Sequence, residues 1–276
     1  KDITETDWMW GVLIAETDRV VTSGIVNWPS HMGSLNYGYA SVGAWRRINS
    51  SLYDEIPASD IRKGWFLDPD KTSPNLSAEQ QSYVTNTAKC PAYTQVKFAP
   101  YGDEIYTGTN ANDIPLMRVE EMYLILAEAQ AMGGNPSAGK ATLEGFVQTY
   151  RDASYKVYGS TAEEVQNAVW MQRRIELWGE GQSYFDLMRL RKGINRVSTG
   201  WAKMDDAMKA YNYNIEDNVA DEREAIELVK SGNGGVTGKA INALIFMIPN
   251  AEIEANAMLT SGDNNLNIPT LEPVNN

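Results

Sequence analysis

The segment from Ile114 to Met132 constrains this chain more than any other. Val119, Met122, Tyr123, Leu126 and Ala127 recur at helical spacing, and Leu124 and Ile125 widen the stripe until the helix is apolar nearly all round. Such a helix needs neighbours on more than one side. Gly133-Gly134 ends it. Asn135 and Pro136 then supply an N-cap and a first-turn proline for a second helix, 136–150. Thr161 and Glu164 fit a capping box at the head of a third, 161–178, which carries Val165, Ala168, Val169, Ile175 and Trp178 at helical spacing. Gly179 and Gly181 break it, and a fourth, 183–192, holds Phe185, Leu187, Met188 and Leu190. The spacing predicts two antiparallel pairs, 114–132 with 136–150 and 161–178 with 183–192, with Tyr123, Leu126, Val169 and Trp178 inside. Helix pairs on Gly-rich turns are the unit of helical-repeat proteins, although no strict repeat is visible.

The rest of the chain reads differently. Residues 1–112 are rich in Gly, Pro, Ser, Asn and aromatics and predict loops, short helices and a few short strands. Within them, 42–52 reads as a short helix and Trp65-Phe66-Leu67 as a strand. Beyond the helices come a polar acidic stretch (205–230), a Gly-rich turn (231–238), an apolar run from Leu244 into Pro249 and a small helix, 251–259. The expected organisation is a loop-rich, aromatic-rich subdomain (1–112) and a helical-pair region with a C-terminal segment (113–276), both parts of one domain. The chain opens at Lys1, close to the folded-looking Trp8-Met9-Trp10, and reads as a trimmed or C-terminal piece of a longer protein.

Charge and residue counts exclude several functions. With 24 Lys+Arg against 36 Asp+Glu the net charge is −12, which opposes binding to a nucleic-acid backbone or an anionic membrane surface. One cysteine, Cys90, leaves no disulfide framework, and one histidine, His31, leaves no multi-histidine metal site. No cofactor or metal is implied. No apolar run reaches the roughly 18 residues of a membrane-spanning helix. Glu176 and Glu180 stand four apart and could in principle serve as paired carboxylates on a glycosidic bond. Arg173 and Arg174 beside them would hold both ionised, whereas a general acid needs a raised pKa.

Four elements in order resemble the SusD/RagB family. Arg118-Val119-Glu120-Glu121-Met122-Tyr123-Leu124-Ile125-Leu126-Ala127-Glu128-Ala129 is similar to its Arg, Ala-Glu, Tyr-Leu, Ala-Glu-Ala helix, with Glu120 where Ala is usual. The run from Arg173 through Glu176-Leu177, Glu180-Gly181 and Asp186-Leu187 to Arg189 resembles its second motif, with Gln182-Ser183 in place of a commoner ending. Tyr53 with Asp60 and Arg62, and Ile248-Pro249 with Glu252-Ile253 and Asn256, resemble an earlier and a later element; the Gln-Asn pair that usually closes the later one is missing. The resemblance implies a mainly α fold of tetratricopeptide-like helix pairs. It implies a cell-surface lipoprotein of the outer membrane that binds substrate for a SusC-type TonB-dependent transporter. It also implies an N-terminal part, with the lipid anchor, that this chain lacks. Arg118, Glu121, Glu128, Arg174, Glu176, Glu180, Asp186 and Arg189 are expected to form ion pairs that pin the helices together.

Ligand contacts do not follow from those motifs and are read from physical chemistry. Sugar rings present apolar C–H faces rimmed by hydroxyls, so a glycan site needs aromatic faces beside amides or carboxylates on supported loops. Five Trp and seven Tyr precede Asn110. Trp28, Tyr37 and Tyr39 lie among Asn27, His31, Ser34 and Asn36 without helical or strand periodicity; they either meet a sugar or cap a loop over the helices. Trp65 is a further candidate in a more strand-like setting, and Trp45, Trp170 and Trp178 fall on apolar helix faces and are assigned to packing. The reading is a non-enzymatic glycan- or oligosaccharide-binding protein of an uptake system. A helical-repeat scaffold for a peptide or protein, and a hydrolase using Glu176 or Glu180, are the alternatives.

Overall fold

The computed structural model describes residues 4–22, 27–36, 38–40, 43–105, 109–190 and 249–260. Tyr37, the last two residues of the expected helix 183–192, the acidic stretch 205–230, the turn 231–238 and the run 244–248 fall outside them. In chain order the elements are β1 (Trp8–Val12), α1 (Arg19–Thr22), α2 (Trp28–Met32), α3 (Ser50–Asp54), a 3-10 turn (Ile61–Trp65) and α4 (Ala78–Ser82), which runs on into a π-helical turn (Tyr83–Thr87). A second 3-10 turn (Tyr101–Asp103), β2 (Ile114–Arg118), α5 (Val119–Met132), α6 (Pro136–Tyr150), α7 (Ala162–Glu176), α8 (Gln182–Leu190) and α9 (Asn250–Ala255) follow. The described chain divides into two compact units, 1–180 and 181–276.

Three sequence expectations are corrected at element ends. The helix expected from Ile114 starts at Val119, because Ile114–Arg118 pairs antiparallel with Trp8–Val12. Pro115 suits that place, since a strand at a sheet edge tolerates a residue without an N–H. The helix expected over 42–52 starts at Ser50, where the Asn49 side chain accepts from Ser51 and Leu52 N–H. The residues before it are instead held by a neighbouring strand-like segment: Ile48 N–H donates to Tyr93 O, and Gln95 N–H to Arg46 O. The third helix stops at Glu176, so Trp178 and Glu180 lie beyond it. Gly179, at φ 78, turns the chain there. Phe66 joins the strand-like segment by an isolated bridge to Gln95, while Trp65 ends a 3-10 turn.

Both predicted caps are present. Asn135 accepts from Ala138 N–H, and Thr161 and Glu164 close a reciprocal capping box. Between the caps, α5, α6 and α7 enclose a core of Leu124, Ala127, Ala131, Leu143, Phe146, Val147, Val157, Val165 and Val169. Each large side chain buried there contributes about 1.5–3 kcal/mol. Tyr123 stacks on Phe146 at 5.2 Å. Leu126, expected inside, is 48% exposed. The packed side of α5 is the Leu124, Ala127, Ala131 side; an apolar surface that wraps most of a helix does not say which part of it is covered. A second cluster, Ile48, Leu52, Tyr53, Ile56, Phe66 and Ile175, with Trp178 against it, joins the loop-rich part to the end of α7. The expected pairing of the third helix with the fourth falls across the boundary between the two units. In the second unit, Arg189 Nε donates to Asp186 Oδ1 at 2.8 Å.

Gly139 sets the spacing of α5 and α6. A Cβ there would stand 2.4 Å from Ala127 O and 2.9 Å from the Ala131 Cβ. Gly139→Ala should therefore force the helices apart and cost about 1–3 kcal/mol in urea denaturation. Gly145→Ala, in the same helix with open space at its Cβ, should instead gain about 0.5–1 kcal/mol.

Candidate functional site

Two features stand out in the first unit: a buried chain of charges and an aromatic cleft beside it. Glu176, at the end of α7, is fully buried. Its carboxylate meets Arg62 at 3.2 Å, Arg118 at 3.3 Å and Arg151 at 2.9 Å. Arg62, also fully buried, holds Asp60 at 2.6 Å and donates to Gln172 Oε1. Arg118 and Arg151 share Glu120, and Arg118 reaches Glu180 at 2.8 Å. Lys97 completes the set, meeting Glu180 at 2.5 Å and donating to the carbonyls of Glu176 and Trp178. Four cations therefore face four carboxylates in one connected chain, Asp60–Arg62–Glu176–Arg151–Glu120–Arg118–Glu180–Lys97.

The pKa directions follow from that balance. Burial alone would raise the Glu176 carboxyl, but Arg151, Arg62 and Arg118 more than offset it and hold the group at about 2. Glu180 is likewise held down by Lys97 and Arg118 against burial. Burial lowers the Lys97 ammonium despite Glu180. Glu120 goes the other way: burial raises it, and Arg118 only partly offsets this.

The cleft is lined by Trp8, Trp28, Pro29, Gly33, Asn36, Lys97, Phe98, Ala99, Asn112, Asp113 and Pro115, and its empty space, open to solvent, is about 480 Å³. β1 delivers Trp8, and its partner strand β2 delivers Pro115, which pairs with Gly11. Asn27 caps α2 by accepting from Ser30 N–H, which places Trp28 at the first helical position. Trp28 and Phe98 meet edge to face, centroids 4.9 Å apart and planes at 79°. Buried Gln95 fixes both walls: its Nε2 donates to Met32 O, and its Oε1 accepts from Phe98 N–H. Asp113 Oδ1 accepts from Ile14 N–H at 2.7 Å.

The family model described as SusD family matches residues 62–265. The chain belongs to the SusD family. Solved structures agree in fold. A SusD superfamily protein from Bacteroides thetaiotaomicron VPI-5482 is 19% identical, with a TM-score of 0.58 over 94% of this chain and 48% of that one. One from Parabacteroides distasonis ATCC 8503 is 18% identical, with a TM-score of 0.54 over 92% of this chain and 49% of that one. A third, from Bacteroides vulgatus ATCC 8482, is 18% identical at a TM-score of 0.51, over 82% and 46%. The chain thus spans about half the length of these structures. No curated protein matches it.

Seen as a SusD-family chain, its motif residues converge. Asp60 and Arg62 from the early element, Arg118 from the helix motif, and Glu176 and Glu180 from the second motif all lie in the charge chain. Glu120, where the family pattern has Ala, supplies the link between Arg118 and Arg151. Glu121 meets Arg173 at 3.2 Å; Arg174 instead lies over the Trp170 ring at 5.0 Å. Glu128 accepts from Gln166. Of the three aromatic candidates among the described residues, Trp28, Tyr39 and Trp65, only Trp28 lines the cleft. Tyr39 stacks on His31 at 4.8 Å, outside it, and Trp65 packs under Lys97 and Arg151 at 4.9 and 5.8 Å. Among the cleft residues not anticipated are Trp8, Lys97, Phe98, Asn112 and Asp113. They come from segments far apart in sequence, and no local pattern marks them. Among the described residues no cluster of His, Cys, Asp or Glu could hold a metal ion, and no helix is long and apolar enough to cross a membrane.

Breaking the charge chain at its centre should destabilise the unit strongly. Glu176→Gln leaves three guanidinium groups short of a partner, and truncating one member of a buried pair costs about 3–5 kcal/mol. The same group shapes the acid limb of stability. With its folded pKa at about 2, below the ordinary carboxyl value, its contribution is complete above about pH 5 and is lost as pH falls toward 2. Denaturation midpoints measured from pH 7 to 3 should fall steeply for the natural protein and more shallowly for Glu176→Gln.

Proposed function

We propose that this protein binds glycan at the bacterial cell surface and passes it to a SusC-type TonB-dependent transporter of the outer membrane. SusD-family membership supports the setting. The observation that carries the binding is the aromatic cleft, in which Trp8, Trp28 and Phe98 stand beside the amides of Asn36 and Asn112. Aromatic faces match the C–H faces of a sugar ring, and amides match its hydroxyls.

Hydrolysis has little support in the same region. Glu176 and Glu180 are ionised and locked to Arg and Lys, and a general acid needs the opposite. Glu120, whose pKa burial raises, lines neither the aromatic cleft nor the larger groove beside α7.

That groove carries the second reading, a scaffold for a basic peptide. It is walled by Glu55, Asp60, Asp152 and Glu164, with Tyr155 and Tyr158 at its side. Most of those carboxylates already serve the protein: Asp152 accepts from Ser154, Glu164 caps α7 and Asp60 holds Arg62. The glycan reading is therefore preferred.

Native gels cast with soluble polysaccharides, run beside a reducing-end assay, test it. The protein should be retarded by at least one polysaccharide and release no reducing ends. Retardation by none, or reproducible release of reducing ends, would contradict it.

A further inference from the structure

We infer that the aromatic cleft reads a neutral sugar unit through the side-chain oxygen of Asn36 and rejects uronic-acid and sulfated glycans. This rests on the glycan reading above and names its ligand class and one specificity-determining residue. Asn36 is 1% exposed. Its Nδ2 donates to Asn112 Oδ1 at 2.8 Å, and Asn112 Nδ2 donates to Ala99 O at 3.1 Å. A backbone carbonyl can only accept, so Ala99 fixes which end of the Asn112 amide faces it, and Asn112 in turn fixes Asn36. The relay leaves Asn36 Oδ1 buried with no hydrogen-bond partner. Buried acceptors are rarely left so, because the lost hydration is not recovered.

Gly33 lies against that amide. A Cβ on Gly33 would stand 2.7 Å from Asn36 Cγ and 3.0 Å from both Oδ1 and Nδ2, and both residues line the cleft. At φ −75 the Gly33 backbone would accept any residue. The requirement is space: hydrogen at Gly33 leaves the Asn36 amide its place in the cleft wall.

A buried acceptor without a partner selects a ligand that donates. Sugar hydroxyls and acetamido N–H groups donate; a carboxylate or sulfate placed against that oxygen would only accept. Charge points the same way. The cation in the cleft wall, Lys97, already serves Glu180 and the carbonyls of Glu176 and Trp178. The carboxylate of Asp113 stands in the same wall, and the chain as a whole carries −12. An anionic sugar would meet repulsion with no unspent cation to offset it.

Affinity gels with galactomannan, xyloglucan and dextran as neutral probes, and polygalacturonate and chondroitin sulfate as acidic ones, test the inference. Retardation by a neutral probe and by neither acidic one is expected. Asn36→Leu and Gly33→Ala should each weaken it about three- to tenfold, the range of one hydrogen bond. Trp28→Ala should weaken it at least about tenfold, and Tyr158→Ala, in the exposed groove, should not. Melting temperatures show that each variant is folded. If Asn36→Leu melts early, Gly33→Ala carries the test, because it keeps both amide side chains of the relay. Retardation by an acidic probe would overturn the neutral class and leave the glycan reading standing. Neutral binding untouched by Asn36→Leu and Gly33→Ala would overturn the role of Asn36 alone. Retardation by no probe would overturn both.

Discussion

Glu176 is the point on which the first unit turns. A carboxylate with no solvent exposure is tolerable only if its charge is met, and here three guanidinium groups from three other segments meet it. Arg62 comes from the 3-10 turn, Arg118 from the end of β2 just before α5, and Arg151 from the residue that follows α6. Each of those arginines has a further carboxylate, so no charge in the chain is left alone. Buried ion pairs add little net stability compared with apolar packing, yet they penalise every arrangement that separates the partners. The apolar core between α5, α6 and α7 supplies the driving force. The charge chain adds a penalty for any helix register that parts its partners.

The charge chain also sets the cleft. Lys97 is drawn to Glu180 and to the last carbonyls around α7, and Phe98 is the next residue along. Gly179 packs against that ring: a Cβ there would stand 2.8 Å from Phe98 Cε2 and 2.8 Å from Met32 Cε. A positive φ and a close approach both require glycine at this point. The wall that Phe98 forms is thus fixed from behind by the turn that follows Glu176 and from the side by Gln95. Aromatic walls held this way need little ordering when a ligand arrives, and that saves affinity otherwise lost to immobilising side chains.

How much of this the sequence shows depends on the range of the interaction. Asn135 with Pro136 and Thr161 with Glu164 act within one helical turn, and both helices start where those residues say. Ile114–Arg118 is read as helix because its partner, Trp8–Val12, lies about a hundred residues away; nothing local tells a strand with that pairing from a helix start. Residues 43–49 fail for the same reason, since their backbone partners are Tyr93 and Gln95. Leu126 fails differently, because an apolar surface wrapping most of a helix does not say which part is covered. In the site, Trp28 is legible because a tryptophan in a segment without periodicity has less reason to be core. Trp65 shows the limit of that argument: its ring lies under Lys97 and Arg151, a use that depends on charges from other segments.

The separation of charge from cleft has a consequence for recognition. All four carboxylates and four cations of the chain are paired with one another, so the strongest electrostatic groups in the region are neutralised internally. What remains facing the cleft is ring surface, amide and one carboxylate already bonded to Ile14 N–H. A ligand there gains from shape, C–H contact and hydrogen bonds rather than from charge. Such contacts are individually weak, so affinity rests on several of them being correct at once. On the reading proposed above, rigid walls and a fixed acceptor suit that requirement: the charge chain neutralises the strong charges internally, and selectivity would fall to the orientation of a few amides.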